Sequence, residues 1–328
     1  MKEEEIRKRG VFNRYLELVA EDVSHFFSDK KNFVTIDCPA CGSSKLTHEF
    51  KKTGFSYMTC DKCDTLFVNP RPRFEDLMRF YASSKSTSFF VNDFFKPVAE
   101  ARREKIFRPR VEYVVERFKQ QPPDVIGDIG AGFGIFLEEL RKVWPERQLV
   151  AIEPSEEMAL ICRKKGFEVL PSAVEDVKTH ENAFDLLTSF ELFEHLYDPE
   201  TFLRQVRRLL KPGGYFLLTT LSGQGFDIQL LWEKSKSVSP PHHLNFFNPS
   251  SISGLIERCG LEVIEAATPG RLDWDIVDGM VSQEGVSAGR FWDAFARKGT
   301  PSAKEALQRW ISDNGFSSHL RVLAQRPL

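Results

Sequence analysis

Apolar residues in the second half of the chain come in short runs separated by amphipathic stretches. The runs predict strands at 124–129, 148–153, 167–170, 184–190, 214–221 and 261–267, and the stretches predict helices at 134–144, 156–165, 199–210 and 249–259. Such alternation is typical of βαβ units, which build a parallel sheet with helices on its faces. A last run at 319–325 predicts one more strand, and the helical pattern at 276–312 predicts an insertion or lid.

The first 120 residues have a different pattern. Residues 11–27 place their apolar side chains on one helical stripe and predict an amphipathic helix. Residues 36–70 are rich in turn formers and predict small hairpins, after which helical patterns return at 74–81 and 97–119. We therefore predict an N-terminal helix, a small hairpin domain, a helical linker or lid, and an α/β domain. Their predicted bounds are 1–35, 36–75, 76–120 and 121–328.

Composition narrows the class of protein without naming an activity. The chain has 328 residues, of which 41% are hydrophobic and 28% charged, and its formal net charge is −2. This balance is typical of a globular protein with a sizeable core, and it indicates no polyanionic partner. No apolar run approaches the roughly 20 residues of a membrane span, and the charged start of the chain does not resemble a signal peptide. We expect a cytoplasmic protein with no membrane partner.

A glycine-rich turn follows the first predicted strand of the α/β domain and opens a helix. Its sequence is Asp128-Ile-Gly130-Ala131-Gly132-Phe-Gly134. Glycine permits left-handed backbone and lets a ligand approach the main chain closely. The dinucleotide-binding pattern is G-x-G-x-x-G, whereas here the third glycine comes one residue early and an acidic residue precedes the first. That carboxylate would repel a diphosphate and attract an ammonium group.

A second acidic residue, Glu153, ends the next predicted strand. It lies near the offset of about 20 residues expected for a carboxylate that binds a ribose diol. The site therefore favours a ligand with a ribose and a positive charge, and S-adenosylmethionine has both. After the later strands we expect Val174 and Glu175 near the adenine, and Phe190 and Glu191 beside the adenine and the methionine part. A nucleotide-dependent oxidoreductase and a turn that binds no ligand are the alternatives.

Four of the six cysteines form two closely spaced pairs, Cys38 with Cys41 and Cys60 with Cys63. The spacing C-x2-C-x18-C-x2-C matches a zinc ribbon, in which each short turn presents two thiolates to one ion. Four thiolates leave no open coordination position, so the metal would be structural. A metal-free remnant and redox disulfides are the alternatives, and a reducing cytoplasm disfavours the disulfides. We expect one structural zinc ion in a zinc-ribbon-like domain over residues 36–75.

Residues 124–221 resemble a class I S-adenosylmethionine-dependent methyltransferase. The ordered motifs that carry the resemblance are the DIGAGFG turn, the strand end at Glu153, Phe184-Asp185, Glu194-His195-Leu196 and Leu210-Lys-Pro-Gly-Gly214. The resemblance implies an α/β fold with a doubly wound, seven-stranded, mostly parallel Rossmann-like sheet. In that family the last strand inserts antiparallel, and 319–325 fits that strand.

The resemblance extends to the rest of the chain. A zinc-ribbon-like segment, then Phe67-Val-Asn-Pro-Arg-Pro72 and a Phe80-Tyr81 helix end, is similar to a family that includes sugar C-methyltransferases and methyltransferases of polysaccharide biosynthesis. Segments 241–248, 268–273 and 317–321 resemble the same group. This implies a small-molecule acceptor, a sugar or nucleotide-sugar methylated at oxygen or carbon, in polysaccharide or natural-product biosynthesis.

Methyl transfer to a weak nucleophile requires a group that removes a proton, and histidine suits that role at neutral pH. In the sugar C-methyltransferases, a Glu-His pair after the fifth strand and a histidine after the fourth take part in acid–base chemistry. The matching positions are His242, His243 and His195, with His242 in place of the glutamate. Tyr81 stands near a family tyrosine. These four residues are the predicted catalytic groups.

An RNA methyltransferase is the second enzymatic interpretation, because some of these enzymes also carry an N-terminal zinc module. RNA binding requires a basic face interleaved with aromatic residues. Residues 1–120 carry a balance of only +5, and Lys51-Lys52 is an isolated pair, so a nucleic-acid partner is not expected. A zinc-ribbon binding module on an inactive fold is a third interpretation, against which the intact Asp128 and Glu153 argue.

Overall fold

The computed structural model describes residues 2–328, and the chain forms two compact units. The first, which we call the ribbon unit, comprises the described residues up to Ala99 together with Leu221–Ile252 and Ala267–Leu320. The second, which we call the sheet unit, comprises Glu100–Thr220, Ser253–Ala266 and Arg321–Leu328. Each unit therefore joins segments that are far apart in the sequence.

Strands and helices alternate through most of residues 2–328. The strands are β1 Leu46–Lys52, β2 Phe55–Cys60, β3 Leu66–Val68, β4 Val125–Ile129, β5 Gln148–Ile152, β6 Glu168–Leu170, β7 Phe184–Phe190, β8 Leu210–Leu221, β9 Asn245–Phe246, β10 Glu262–Ala267 and β11 His319–Gln325. The helices are α1 Glu3–Ile6, α2 Arg9–Phe26, α3 Phe74–Ser83, α4 Lys85–Phe89, α5 Ala99–Arg102, α6 Arg108–Arg117, α7 Ile135–Val143, α8 Glu156–Lys164, α9 Pro199–Leu209, α10 Phe226–Leu231, α11 Pro249–Arg258, α12 Asp273–Glu284, α13 Arg290–Lys298 and α14 Pro301–Asp313. None of the helices in this part of the chain has the length and apolar character needed to cross a bilayer.

The sheet unit is built on a seven-stranded sheet with the order β10-β11-β8-β7-β4-β5-β6. The five strands β6, β5, β4, β7 and β8 are parallel to one another. β11 runs antiparallel to β8. At one end the Gly213 N–H donates to the Arg326 carbonyl and the Arg326 N–H donates to the Gly214 carbonyl, and at the other end the Ser222 N–H donates to the Ser318 carbonyl. The sequence predictions of a doubly wound, mostly parallel sheet and of an antiparallel last strand are confirmed.

The prediction of one helix over 97–119 is only partly correct. The chain forms a 3₁₀ turn at Lys96–Val98, then α5, a π-helical segment at Arg103–Phe107, and α6. Pro109 has no backbone N–H, so the helical ladder is interrupted four residues before it, where the π-helical segment lies. α6 therefore begins as a separate α-helix at Arg108, directly after the π-helical segment.

The ribbon unit contains a second sheet with the order β1-β2-β3-β9. The first three strands are antiparallel neighbours that come from the cysteine-rich segment. The fourth comes from 245–246, far along the chain, and pairs antiparallel with β3 so that Leu66 lies opposite Phe246. The predicted domain bounds at 36–75 and 121–328 stay predictions, but this small sheet draws strands from both ranges.

Side chains reinforce this long-range pairing. Arg71 is 1% exposed, and its guanidinium donates to the side-chain oxygen of Asn245 at 3.1 Å. The Asn248 side-chain amide donates to the Cys63 carbonyl at 2.7 Å. The side-chain oxygen of Asn248 accepts from the Ser251 backbone N–H, and Asn248 thereby caps α11. Two of the segments that carry the family resemblance, 67–72 and 241–248, therefore contact each other.

The other two such segments, 268–273 and 317–321, also meet. The Asp273 carboxylate accepts from the Ser317 hydroxyl at 2.8 Å and from the Ser318 backbone N–H at 2.7 Å. A Cβ on Gly270 would lie only 1.8 Å from the Ser317 oxygen, so a side chain there has no room. Close approach of the two segments explains both the glycine and the aspartate.

We expect Arg71→Met to lower the free energy of unfolding by about 2–4 kcal/mol, because it removes a charged donor from buried oxygens of Asn245 and Val68. Urea denaturation measures the change. Arg73→Met is the matched control, since Arg73 is exposed and makes no side-chain cap on α3, and it should stay within about 0.5 kcal/mol. Equal effects of the two variants would contradict the structural role of Arg71.

Candidate functional site

The glycine-rich turn joins β4 to α7 in the sheet unit. Gly130, Gly132 and Gly134 all have positive φ, which side chains rarely tolerate. A Cβ on Gly130 would lie 3.1 Å from the Leu192 side chain, so that position is also closely packed. A Cβ on Gly132 would meet only the Met158 sulfur at 4.0 Å. The turn therefore faces open space at Gly132, as a backbone cradle for a ligand requires.

Asp128 lies in β4 directly before this turn and is 3% exposed. Its carboxylate accepts a hydrogen bond from the Thr188 hydroxyl at 2.7 Å. Burial raises the pKa of the Asp128 carboxyl to about 7, against the opposing effects of Thr188 and of the Arg110 guanidinium. A carboxylate this poorly solvated attracts a cation strongly.

Glu153 follows β5, the parallel neighbour of β4. One carboxylate oxygen accepts from the Gly132 backbone N–H at 2.8 Å, and the other accepts from that of Ser155 at 2.9 Å. Burial raises the pKa of the Glu153 carboxyl, and these two backbone donors lower it. The two hydrogen bonds fix the carboxylate against the glycine turn, and each oxygen can still accept a second bond.

All the predicted cofactor residues lie in the sheet unit, at the carboxyl edge of the parallel strands. They are Asp128, Gly130, Ala131, Gly132, Glu153, Val174, Glu175, Phe190 and Glu191. Val174 and Glu175 form a 3₁₀ turn after β6, and burial raises the pKa of the Glu175 carboxyl. The edge of an open parallel sheet where strand order reverses is where such folds bind ligands, and β4 lies at that point between β5 and β7.

Arg110, on α6, is a charged group at this edge that the sequence analysis missed. Its guanidinium donates to the Glu191 carboxylate at 2.6 Å and lies 4.6 Å from the centre of the Phe190 ring. Burial lowers the pKa of the Arg110 guanidinium. Nothing in its local sequence separates it from the other 44 lysines and arginines of the chain.

The predicted catalytic residues fall in different units. His195 belongs to the sheet unit, where it is half-buried on a short 3₁₀ turn after β7. Glu194 beside it is buried and accepts from the Thr220 hydroxyl at 2.8 Å. His242, His243 and Tyr81 belong to the ribbon unit.

Within the ribbon unit the two neighbouring histidines have different surroundings. The His242 ring is buried, with its centre 5.8, 5.1 and 5.5 Å from those of Tyr15, Phe80 and Tyr81. His243 is half-buried, and its Nδ1 lies 2.5 Å from the Ser237 carbonyl oxygen. A carbonyl only accepts, so Nδ1 carries the proton and Nε2 is the basic nitrogen of the neutral ring. The Tyr81 hydroxyl lies 3.5 Å from the His242 carbonyl.

The four paired cysteines converge in the ribbon unit, with all four sulfur atoms within 4.8 Å of one another. The Cys38 and Cys63 sulfurs are 3.5 Å apart, as are those of Cys41 and Cys60. Zn–S bonds of about 2.3 Å place the sulfurs of a tetrahedral site about 3.8 Å apart, close to these distances. The residue after each cysteine pair, Gly42 or Asp64, has a left-handed backbone conformation, so the two turns end with the same backbone geometry. The donor set and its geometry fit a zinc ion.

The seven-stranded sheet and the acidic crevice beside its glycine turn define an enzyme of the class I methyltransferase fold. A sequence model described as "Methyltransferase domain" matches residues 98–266, more than half of the chain. The chain belongs to this methyltransferase family. It is an S-adenosylmethionine-dependent methyltransferase.

Individual relatives are more distant. A ubiquinone biosynthesis O-methyltransferase of Hydrogenovibrio crunogenus is 28% identical over 177 residues, which is 50% of this chain and 72% of that protein. A ubiquinone biosynthesis O-methyltransferase of Xanthomonas axonopodis pv. citri is 27% identical over 167 residues, which is 47% of this chain and 69% of that protein. Among solved structures, the plantazolicin methyltransferase BpumL, in complex with a pentazolic desmethylPZN analog and SAH, is 18% identical with a TM-score of 0.49. The structural match covers 77% of this chain and 95% of the BpumL chain.

We expect Asp128→Asn to stabilise the ligand-free protein at pH 8 by up to about 4 kcal/mol. Folding raises the pKa of this carboxyl from 3.8 to about 7, so the buried charge destabilises the fold fully above pH 7. The penalty shrinks as pH falls and disappears near pH 4. Asparagine keeps the oxygen that accepts from Thr188. Thermal unfolding at pH 5 and pH 8 measures the gain.

Asp176→Asn is the control for this prediction, because Asp176 is an exposed carboxylate on the same edge of the sheet. It should leave the melting temperature nearly unchanged at both pH values. A gain for Asp128→Asn that is the same at pH 5 and pH 8 would show that the charge at Asp128 is not its cause.

Proposed function

We propose that the chain methylates a small molecule, a sugar or nucleotide-sugar, at oxygen or carbon. The observation that carries this proposal is the His243 ring, whose Nδ1 is held by the Ser237 carbonyl so that Nε2 is the basic nitrogen. An oriented base is required by a hydroxyl or carbon acid, which must lose a proton as the methyl group arrives. The relatives named for O-methylation in ubiquinone biosynthesis also support a small acceptor.

In this proposal the residues at the sheet edge hold the cofactor. Asp128 would bind the cationic amino acid part of the cofactor, and Glu153 would bind its ribose hydroxyls. Gly132, which has open space where a side chain would be, would let the cofactor approach the backbone between them. Val174, Glu175 and the Phe190 ring would surround the adenine. When bound, the cofactor supplies an electrophilic methyl group on a positively charged sulfur.

The chain's own residues then handle the proton. In our proposal the Nε2 atom of His243 would accept the proton that the acceptor oxygen or carbon loses as it bonds to the methyl group, while the methyl–sulfur bond breaks and its electron pair stays on sulfur. His195, after β7, would assist. The aromatic surroundings of His242 suit packing better than proton transfer, because neighbouring rings leave the charged imidazolium poorly solvated. We therefore give His242 and Tyr81 the role of positioning the loop that carries His243.

A role in RNA methylation has less support. Lys51-Lys52 precedes the second cysteine pair, and the Lys52 ammonium donates to the Ser235 carbonyl at 2.6 Å. Burial lowers the pKa of Lys52 to about 8. A lysine occupied in this way is poorly placed to contact a phosphate backbone.

The acceptor class is tested by incubating the purified protein with radiolabelled S-adenosylmethionine and three acceptor sets. These are nucleotide-sugars and their keto derivatives, quinol-type phenols, and total RNA. We expect label in the sugar fraction. Label in RNA that is lost at high salt would overturn the sugar proposal and favour the RNA interpretation.

We expect His243→Ala to lower kcat by about 10²–10⁴-fold with little change in the KM for the cofactor, since it removes a general base. His195→Ala should have a smaller effect. His48→Ala, on an exposed position of β1, is the control and should behave as wild type. A full loss of kcat in His195→Ala with normal turnover in His243→Ala would exchange the two roles.

We also propose that the four cysteines of the ribbon unit hold one structural zinc ion. The convergence of four sulfurs without disulfide bonds supports this, since close thiolates repel one another unless a cation lies between them. Metal binding would then couple to folding of the β1–β3 hairpins.

Elemental analysis should find about one zinc per chain, and Cys60→Ser should lose it together with several degrees of thermal stability. Cys259→Ser is the matched control, because Cys259 is a buried thiol of the sheet unit and should keep the metal. A wild-type protein without zinc, purified in the absence of chelators, would overturn the assignment.

A further inference from the structure

We propose that Arg110 is a positioning residue for methyl transfer, which fixes Glu191 and the Phe190 ring at the end of β7 and supplies a positive charge to the crevice that contains Asp128. The inference rests on the proposed role of Asp128 in cofactor binding. It adds a residue on α6 to a site otherwise built from the ends of strands.

The geometry around Arg110 is a closed set of hydrogen bonds. Its guanidinium donates to the Glu191 carboxylate at 2.6 Å and to the Thr219 hydroxyl at 3.3 Å. Thr219 in turn donates to the same Glu191 oxygen at 2.7 Å. Because all three groups are linked, the Glu191 side chain is held in one orientation.

The backbone at Glu191 needs this support. Its φ is +53°, a left-handed conformation that a glutamate rarely adopts. Its N–H donates to the Thr219 carbonyl at 3.0 Å. The ion pair with Arg110 and the bonds to Thr219 thus stabilise the chain where it leaves β7 to form the wall of the crevice.

The aromatic rings beside Arg110 remove water from it. The guanidinium carbon lies 4.6 Å from the Phe190 ring centre and 5.5 Å from that of Phe107, and Phe190 packs edge-on against Phe136 at 4.8 Å. Cation–π contact with Phe190 orients the ring that we assign to the adenine. Arg110 therefore connects α6 to two predicted cofactor residues.

Arg110 is also the cation among several carboxylates. Asp128, Glu191 and Glu194 all stabilise its charge, and Glu153 raises the pKa of Asp128 from the far side of the glycine turn. Cys162 also lies near Asp128, but burial raises the pKa of its thiol to about 11, so it stays neutral. Screening by water is weak in this buried setting, and the positive charge of Arg110 favours ionised Asp128.

The test is the pH dependence of S-adenosylmethionine affinity, measured by calorimetry from pH 5.5 to pH 9. In the wild type, affinity should fall below about pH 7 as Asp128 takes up a proton. In Arg110→Met the midpoint should rise by about one pH unit or more. The variant should then bind at least about fivefold more weakly at pH 7 and recover much of that loss at pH 9.

Three further variants separate charge from packing. Arg110→Lys keeps the charge and should keep the wild-type midpoint. Thr219→Val removes a donor to Glu191 without changing charge, so its loss of affinity should be the same at every pH. If Arg110→Met does not fold, the double variant Arg110→Met/Glu191→Gln removes both buried partners together and should still show the raised midpoint.

A loss of affinity that is equal at all pH values in Arg110→Met or in the double variant would overturn this inference and leave Arg110 a structural residue. Failure of the wild type to bind the cofactor, or a wild-type pH profile that Asp128→Asn does not abolish, would instead overturn the proposed role of Asp128. The two failures are therefore distinguishable.

Discussion

The buried carboxylate of Asp128 is the constraint on which the sheet unit depends. A carboxylate that is 3% exposed is costly to ionise, and its pKa of about 7 records that cost. The Thr188 hydroxyl and the Arg110 charge offset part of the cost, while the glycine turn leaves open space beside the carboxylate. A cation in that space would offset the rest, so the same feature that strains the ligand-free protein gives it affinity for a positively charged cofactor.

The ribbon unit repeats this arrangement with sulfur instead of oxygen. Four thiol groups within 4.8 Å of one another are unfavourable as thiolates until a metal ion lies between them. The backbone prepares the site in advance, since Gly42 and Asp64 give both cysteine turns the same left-handed exit. In each unit the fold brings together groups that a cation would stabilise, which would reduce the reorganisation that binding requires.

Much of this architecture is visible in local sequence. The strands at 184–190 and 319–325 are observed with the predicted bounds, because apolar runs between turn formers need no distant partner to be recognised. Asp128 and Glu153 stand at the carboxyl ends of neighbouring strands. Parallel strands end at one edge of a sheet, so residues at their ends meet there, and the sequence therefore predicts a crevice at that edge.

The sequence predicts the parallel sheet, the acidic glycine turn and the two cysteine pairs, because each depends on periodicity or spacing over a few residues. The folded chain is needed to show that Arg110 is buried against Glu191, that 245–246 completes the ribbon sheet, and that His242 packs among aromatic rings while His243 is held by a carbonyl. Burial and pairing between segments often more than 100 residues apart arise from packing the whole chain, and no local pattern records them.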